Sequence, residues 1–216
     1  MDYDSRMSSV DAIDLGHFQA TRKKGSERFC RNGKPQDFRL LEFWQWCVSD
    51  LISNATRGRL AEFIVARALG LAVGVRNEWD AYDLRTRRGL RIEAKSCGYL
   101  QSWRQMKLST VTWSVRKTRA WDPVTGVMQK EVQRQSDLYI FALLAHKESK
   151  RTLNPLDLDQ WDFYPVPTRD LDARKRSQHS ITLKSLQVMC PNSVAYARLR
   201  RAVADFETQL LPAEPK

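Results

Sequence analysis

The chain is short of the residues on which many small enzymes build their chemistry. Its four cysteines, Cys30, Cys47, Cys97 and Cys190, stand far apart with no CxxC pair and no histidine at zinc-finger spacing. They read as reduced thiols of a cytoplasmic protein, mostly filling core. His17, His146 and His179 are equally dispersed, which argues against histidine-based zinc chemistry and against a Ser/His or Cys/His nucleophile. Neither a GxxxxGK[ST] loop nor a GxGxxG fingerprint occurs, so nucleotide hydrolysis and dinucleotide binding by those routes are excluded. Long apolar runs are missing too. The longest is Leu138 to Ala145, and the chain opens Met1-Asp2-Tyr3-Asp4-Ser5, so neither a signal peptide nor a membrane span is expected.

Acidic residues are also scarce relative to basic ones. Lys and Arg number 36 against 25 Asp and Glu, a net charge of +11. That excess exceeds what solubility needs and points to a polyanionic partner, nucleic acid first and an acidic membrane surface second. With 216 residues, 42% of them hydrophobic, the chain can build one α/β domain with a sizeable core but hardly two.

Residues 1–36 are polar and irregular and read as an N-terminal arm, with residues 37–211 as the domain and 212–216 as a frayed tail. From Asp37 the positions Leu41, Trp44, Val48 and Leu51 follow helical spacing to about Ser53. A second helix is predicted from Ala55 to Leu69, capped by Ser53 or Asn54, closed by Gly70, and burying Leu60, Ala61, Ile64, Val65 and Ala68. Glu62 falls at the margin of that stripe, where it either looks inward at a site or pairs with Arg59 or Arg67. Leu71–Val75 suggests a strand, Gln101–Leu108 a short basic helix, Val111–Val115 a strand and Trp121–Gly126 a turn. The apolar run from Leu138 fits a central strand covered on both faces. Trp161–Pro167 reads as an outer strand, because its prolines permit only an edge or a terminus. A basic connector, Arg169–Arg176, precedes a closing helix from about Ser193. Trp103, Trp113 and Trp121 are expected mostly in the core, with stacking on bases or wedging a duplex as the alternative.

The most informative stretch runs from Tyr82 to Lys95. If Arg87-Arg88-Gly89 form a loop, with glycine supplying the positive φ, Thr86 faces Leu90 and Asp83 lies opposite Glu93. Glu93 and Lys95, two apart on one strand, project to one face. Two bare carboxylates repel by roughly 4 kcal/mol at 4 Å in a protein-surface dielectric, so the pair calls for a compensating charge, efficiently a divalent cation. An exposed, salt-bridged strand face is the bland alternative. Arg85, Arg87, Arg88 and Arg91 on the hairpin, with Arg104 and Lys107 beyond it, lie where a phosphate backbone would pass.

A helix bearing an inward Glu, then a strand, a strand with Asp, a strand with Glu93-Ala94-Lys95 and later a buried strand together resemble the PD-(D/E)xK nuclease superfamily, over about residues 55–145. Tyr82 stands where many members carry proline. The resemblance implies an α/β fold of the restriction-endonuclease-like kind, with a mixed central β-sheet flanked by helices. It implies a Mg2+-dependent DNA endonuclease, of restriction or anti-phage type, with Mn2+ as an alternative ion. Asp83, Glu93, the Ala94 carbonyl and Glu62 would hold the ion, Lys95 would orient the attacking water, and Gln101 would bond a phosphate or a metal water. Duplex cleavage would favour a homodimer or a partner protein. An RNA substrate and a non-catalytic binding subunit of the same fold are the alternatives.

Overall fold

The structure is a computed structural model that describes residues 15–211. Strands β1 (Arg28–Arg31) and β2 (Lys34–Arg39) lead into helices α1 (Leu40–Val48) and α2 (Asn54–Leu69). Strands β3 (Leu84–Arg85), β4 (Arg91–Gly98), β5 (Thr112–Ser114), β6 (Trp121–Asp122), β7 (Val127–Met128), β8 (Leu138–Leu144) and β9 (Trp161–Pro167) follow. Then come α3 (Thr168–Asp172), β10 (Ser180–Thr182), α4 (Leu183–Met189) and α5 (Tyr196–Leu210).

The central sheet has the order β3-β4-β8-β9. Its inner pair, β4 and β8, is parallel, and both outer pairs are antiparallel. The fold is therefore the expected α/β class, a mixed central sheet flanked by helices. Every residue of β8 is buried, as its unbroken apolar run predicts for a strand covered on both faces. Alternation divides that strand between two cores. Leu138, Ile140, Ala142 and Leu144 pack with Ala61, Ile64 and Val65 of α2 and with Leu199 and Val203 of α5. Tyr139, Phe141 and Leu143 pack with Val111, Trp113, Ile181 and Leu186 on the other face. Each fully buried side chain of this size contributes about 1.5–3 kcal/mol. Pro165 and Pro167 lie on β9, an edge strand whose missing N–H groups face no neighbour.

Helix α2 carries the caps its sequence promises. The Ser53 hydroxyl accepts from the Thr56 N–H at 3.4 Å, and Gly70 ends the helix at φ 73°. A side chain there would cost about 1–2 kcal/mol in the left-handed region.

Several expectations fail. Residues 28–39 form a hairpin rather than an irregular arm, turned by Asn32 and Gly33 at φ 50° and 72°, the two-residue geometry that Asn-Gly favours. Residues 1–14 and the tail 212–216 lie outside the described residues. The first helix starts only at Leu40, because Asp37–Arg39 are taken into β2, and it stops at Val48. The Asp50 carboxylate then accepts from the N–H groups of Ile52 and Ser53 and turns the chain toward α2. No residue of α1 is buried. Leu71–Val75 forms no strand; Gly74 at φ 74° breaks it into a loop. Gln101–Leu108 is no helix, since the Gln105 amide accepts from the Gln101 N–H and donates to the Tyr99 carbonyl, competing with helical bonding. The connector after Thr168 begins as α3, anchored by the buried Leu171. All four cysteines are free, but only Cys97 is buried. Of the three tryptophans Trp103, Trp113 and Trp121, only Trp113 is in the core. Among the described residues no helix is long and apolar enough to cross a membrane.

Candidate active site

The hairpin register read from the Arg87-Arg88-Gly89 loop is the one observed. Leu84 pairs with Ile92 and Arg85 with Arg91, while Gly89 takes φ 97° and the Thr86 N–H donates to the Leu90 carbonyl at 3.0 Å. One step beyond β3, the Asp83 N–H donates to the Ile92 carbonyl at 3.1 Å, so Asp83 lies across from Glu93. Its Oδ2 accepts from the Ala94 N–H at 2.8 Å. That bond fixes the carboxylate against the very peptide that joins Glu93 to Lys95.

Strand alternation sends Ile92 and Ala94 toward the α2 and α5 layer and Glu93, Lys95 and Cys97 toward the other. Glu62 comes from α2 itself and is buried. The edge strand β3 is only two residues long, and where it stops Asp83 lies in the fields of both glutamates. Burial first, then the Glu93 charge, pushes the Asp83 carboxyl up to about 7; Glu62 adds to the rise, while the Ala94 N–H and Lys95 oppose it. Burial also raises the Tyr139 phenol, which sits beside Glu93 on the neighbouring strand.

Cations and donors clasp the flanking acids. Arg76 Nε lies 2.7 and 2.9 Å from the two Glu62 oxygens, and its guanidinium approaches Asp83 Oδ1 at 3.9 Å. Desolvation pulls that guanidinium down, but the Glu62 carboxylate outweighs it and holds Arg76 above its ordinary value. Lys95 Nζ bonds Glu93, and the buried Ser136 hydroxyl donates to Glu93 Oε2 at 3.3 Å. Among the described residues no three acids converge tightly enough to hold an ion as their side chains stand. The reason is visible in the pairing. Arg76 and Lys95 pair with Glu62 and Glu93, while Asp83 keeps its burial and the fields of both glutamates. The donors are all oxygen, the set a hard divalent cation prefers, and the uncompensated charge is what such an ion would neutralise. The residues fit that group once Glu62 and Glu93 turn from their side-chain partners.

The other predicted positions divide. Arg85 is exposed and lines a cavity of about 380 Å³ together with Glu62 and Asp83. Arg87, Arg104 and Lys107 are exposed and Arg88 is half-buried. Arg91 is forked onto Asp137 at 3.0 and 2.6 Å, where it ties the hairpin to the start of β8. Gln101 does not join the carboxylates. It is buried, donating to the Gly98 carbonyl at 2.8 Å and accepting from Arg57 at 3.1 Å. Neither Arg59 nor Arg67 pairs with Glu62; the partner is Arg76. Arg76, Ser136 and the cavity-lining Arg22 and Arg59 are the site residues that the sequence reading did not find. All four come from loops or from a solvent-facing helix side, where no periodicity marks them.

No curated protein sequence matches the chain. The family profile of bacteriophage T4 endonuclease IV matches residues 11–185, most of the chain and every acid of the cluster. The chain belongs to the bacteriophage T4 endonuclease IV family.

Proposed function

We propose that this DNA endonuclease cuts phosphodiester bonds with Mg2+ at the Glu62, Asp83, Glu93 and Lys95 cluster, in the manner of the PD-(D/E)xK superfamily. The observation that carries the reading is Asp83. It is an edge carboxylate bonded to the Ala94 N–H and loaded by two further acids, with the Lys95 ammonium two residues beyond Glu93 on the neighbouring strand. The side chains of Asp83 and Glu93 and the Ala94 carbonyl would hold the ion, with Glu62 joining once Arg76 releases it. Mg2+ supplies charge neutralisation at the phosphoryl group and a more acidic attacking water. Lys95, freed from Glu93, donates to that water and to the phosphate oxygen that gains charge, a preorganised donor worth about 3–4 kcal/mol. The buried Ser136 hydroxyl fixes the Glu93 rotamer. Arg76, released from Glu62, and the exposed Arg85 offer guanidinium forks to the phosphates on either side. Cutting both strands of a duplex from one site per chain calls for two copies, or a partner. The free cysteines agree with a cytoplasmic setting. A restriction or anti-phage role rests on the superfamily resemblance alone.

One observation favours the second reading, a DNA-binding subunit without catalysis: Arg76 and Lys95 already pair with Glu62 and Glu93, so that part of the cluster is satisfied as a salt-bridge network. Supercoiled plasmid separates the two. Nicking that needs Mg2+, stops with EDTA and is lost in Lys95→Ala supports the enzyme; absent or metal-independent nicking supports the binding subunit. Matched DNA and RNA substrates establish which backbone is cut.

A further inference from the structure

The cavity that holds Glu62 and Asp83 does not end at the carboxylates. It shares Arg22, Arg76 and the loop Val73–Asn77 with a second cavity of about 740 Å³ lying between residues 17–22 and residues 73–79. Guanidinium groups stand at the junction, and an aromatic side chain stands on each wall beyond it. Trp79 is 64% exposed and Phe18 85% exposed. The backbone at Trp79 is nonetheless held in a defined turn. The Trp79 backbone N–H donates to Asn77 Oδ1 at 3.1 Å, and Asn77 Nδ2 donates to Asp80 Oδ1 at 2.7 Å. The one acid between these residues, Glu78, is offset by Arg59 at 3.7 Å. Trp79 and Phe18 thus give the groove two exposed rings on facing walls. A groove with cations at one end and rings at the other suits an anion joined to a planar base.

We infer that the groove between residues 17–22 and 73–79 is a nucleotide subsite, which takes the DNA residue flanking the scissile phosphate. Arg22 receives that residue's phosphate, and the Trp79 indole stacks on its base. The direction of the strand follows from the shared wall: leaving the carboxylates, it passes Arg76 and Arg22 before reaching Trp79. The inference rests on the carboxylate cluster being the cleavage site, but its chemistry is separable from metal and from turnover.

The test uses the full chain and a short fluorescein-labelled DNA oligonucleotide in EDTA, with binding read by anisotropy across a salt series. Trp79→Ala weakens binding about tenfold, in line with the loss of one base–aromatic stack, and leaves the salt dependence unchanged. Trp79→Phe recovers most of the loss. Arg22→Ala weakens binding and lowers the salt slope by about one. Because Trp79 is exposed, thermal melting of Trp79→Ala matches the parent, which separates lost stacking from lost folding. Parent-like affinity in Trp79→Ala and Arg22→Ala overturns the subsite, and so does a parent protein that fails to bind the oligonucleotide. Should Mg2+-dependent nicking be absent while both variants lose affinity as described, the subsite stands and only the cleavage reading falls.

Discussion

Replacing Asp83 with asparagine should make the metal-free protein more stable while ending cleavage. The native carboxyl sits at about 7, against 3.8 for the free side chain. Between those values the native state keeps a proton that the unfolded chain has released, so stability falls as pH rises from about 4 to about 7. Above pH 7 the full cost applies, about 4 kcal/mol; at pH 5 only about 2 kcal/mol of it has accrued. Asparagine keeps an oxygen to accept from the Ala94 N–H, and its amide donates toward the acids that repel the carboxylate. Asp83→Asn is therefore expected to melt higher than the parent in EDTA, with a gap that widens from pH 5 to pH 8. At about 2–4 °C per kcal/mol for a domain of this size, the gap reaches roughly 10 °C at pH 8. Added Mg2+ should raise the melting temperature of the parent above pH 7 and leave the variant unmoved. A variant that melts below the parent at pH 8, or a gap that does not change with pH, would refute the shared field of Asp83, Glu93 and Glu62 from which the metal site is argued.

Further outcomes follow from the same contacts. Lys95→Ala should lower the rate of nicking about 10²–10³-fold while DNA affinity in EDTA changes little, as single-turnover and anisotropy measurements would show. Arg76→Ala removes the cation clasping Glu62, so the metal-free protein should melt lower and bind Mn2+ more tightly by calorimetry; unchanged Mn2+ affinity would separate Arg76 from the ion's place. With Arg91 committed to Asp137, the four exposed cations Arg85, Arg87, Arg104 and Lys107 lie around and beyond the hairpin, and log affinity should fall with log salt at a slope of about −3 to −4. Arg85→Ala should reduce that slope by about one, whereas Arg91→Ala should lower the melting temperature and spare the slope. Gln101→Ala should cost about 1–3 kcal/mol of stability by leaving the buried Arg57 guanidinium short of an acceptor, measured by urea denaturation, with no loss of DNA affinity.

What the sequence made legible was whatever its local rules determine. The Gly89 turn fixes the hairpin register, alternation puts Glu93 and Lys95 on one face, the apolar run at Leu138 announces a doubly covered strand, and Ser53 and Gly70 bracket α2. The misses have a common physical source. Arg76 reaches Glu62 from a loop fourteen residues away, and loop side chains obey no period. The Gln105 amide replaces the helix expected over 101–108 by bonding the backbone itself. The Asn32-Gly33 turn was readable in principle, but its flanking strands alternate poorly and bury little, so polarity hid the hairpin. The exposed apolar face of α1 shows the same limit from the other side: helical spacing predicts a stripe, and tertiary contact decides whether anything covers it.

The parallel pairing of β4 with β8 bears on when the proposed site can form during synthesis. Glu93 and Lys95 emerge from the ribosome well before Tyr139 and Phe141, the residues that hold them in register. Until those arrive, the acids and the ammonium lie on a strand with no interior neighbour. Such a distant pairing closes slowly. The proposed site is thus assembled only once synthesis has passed the buried strand.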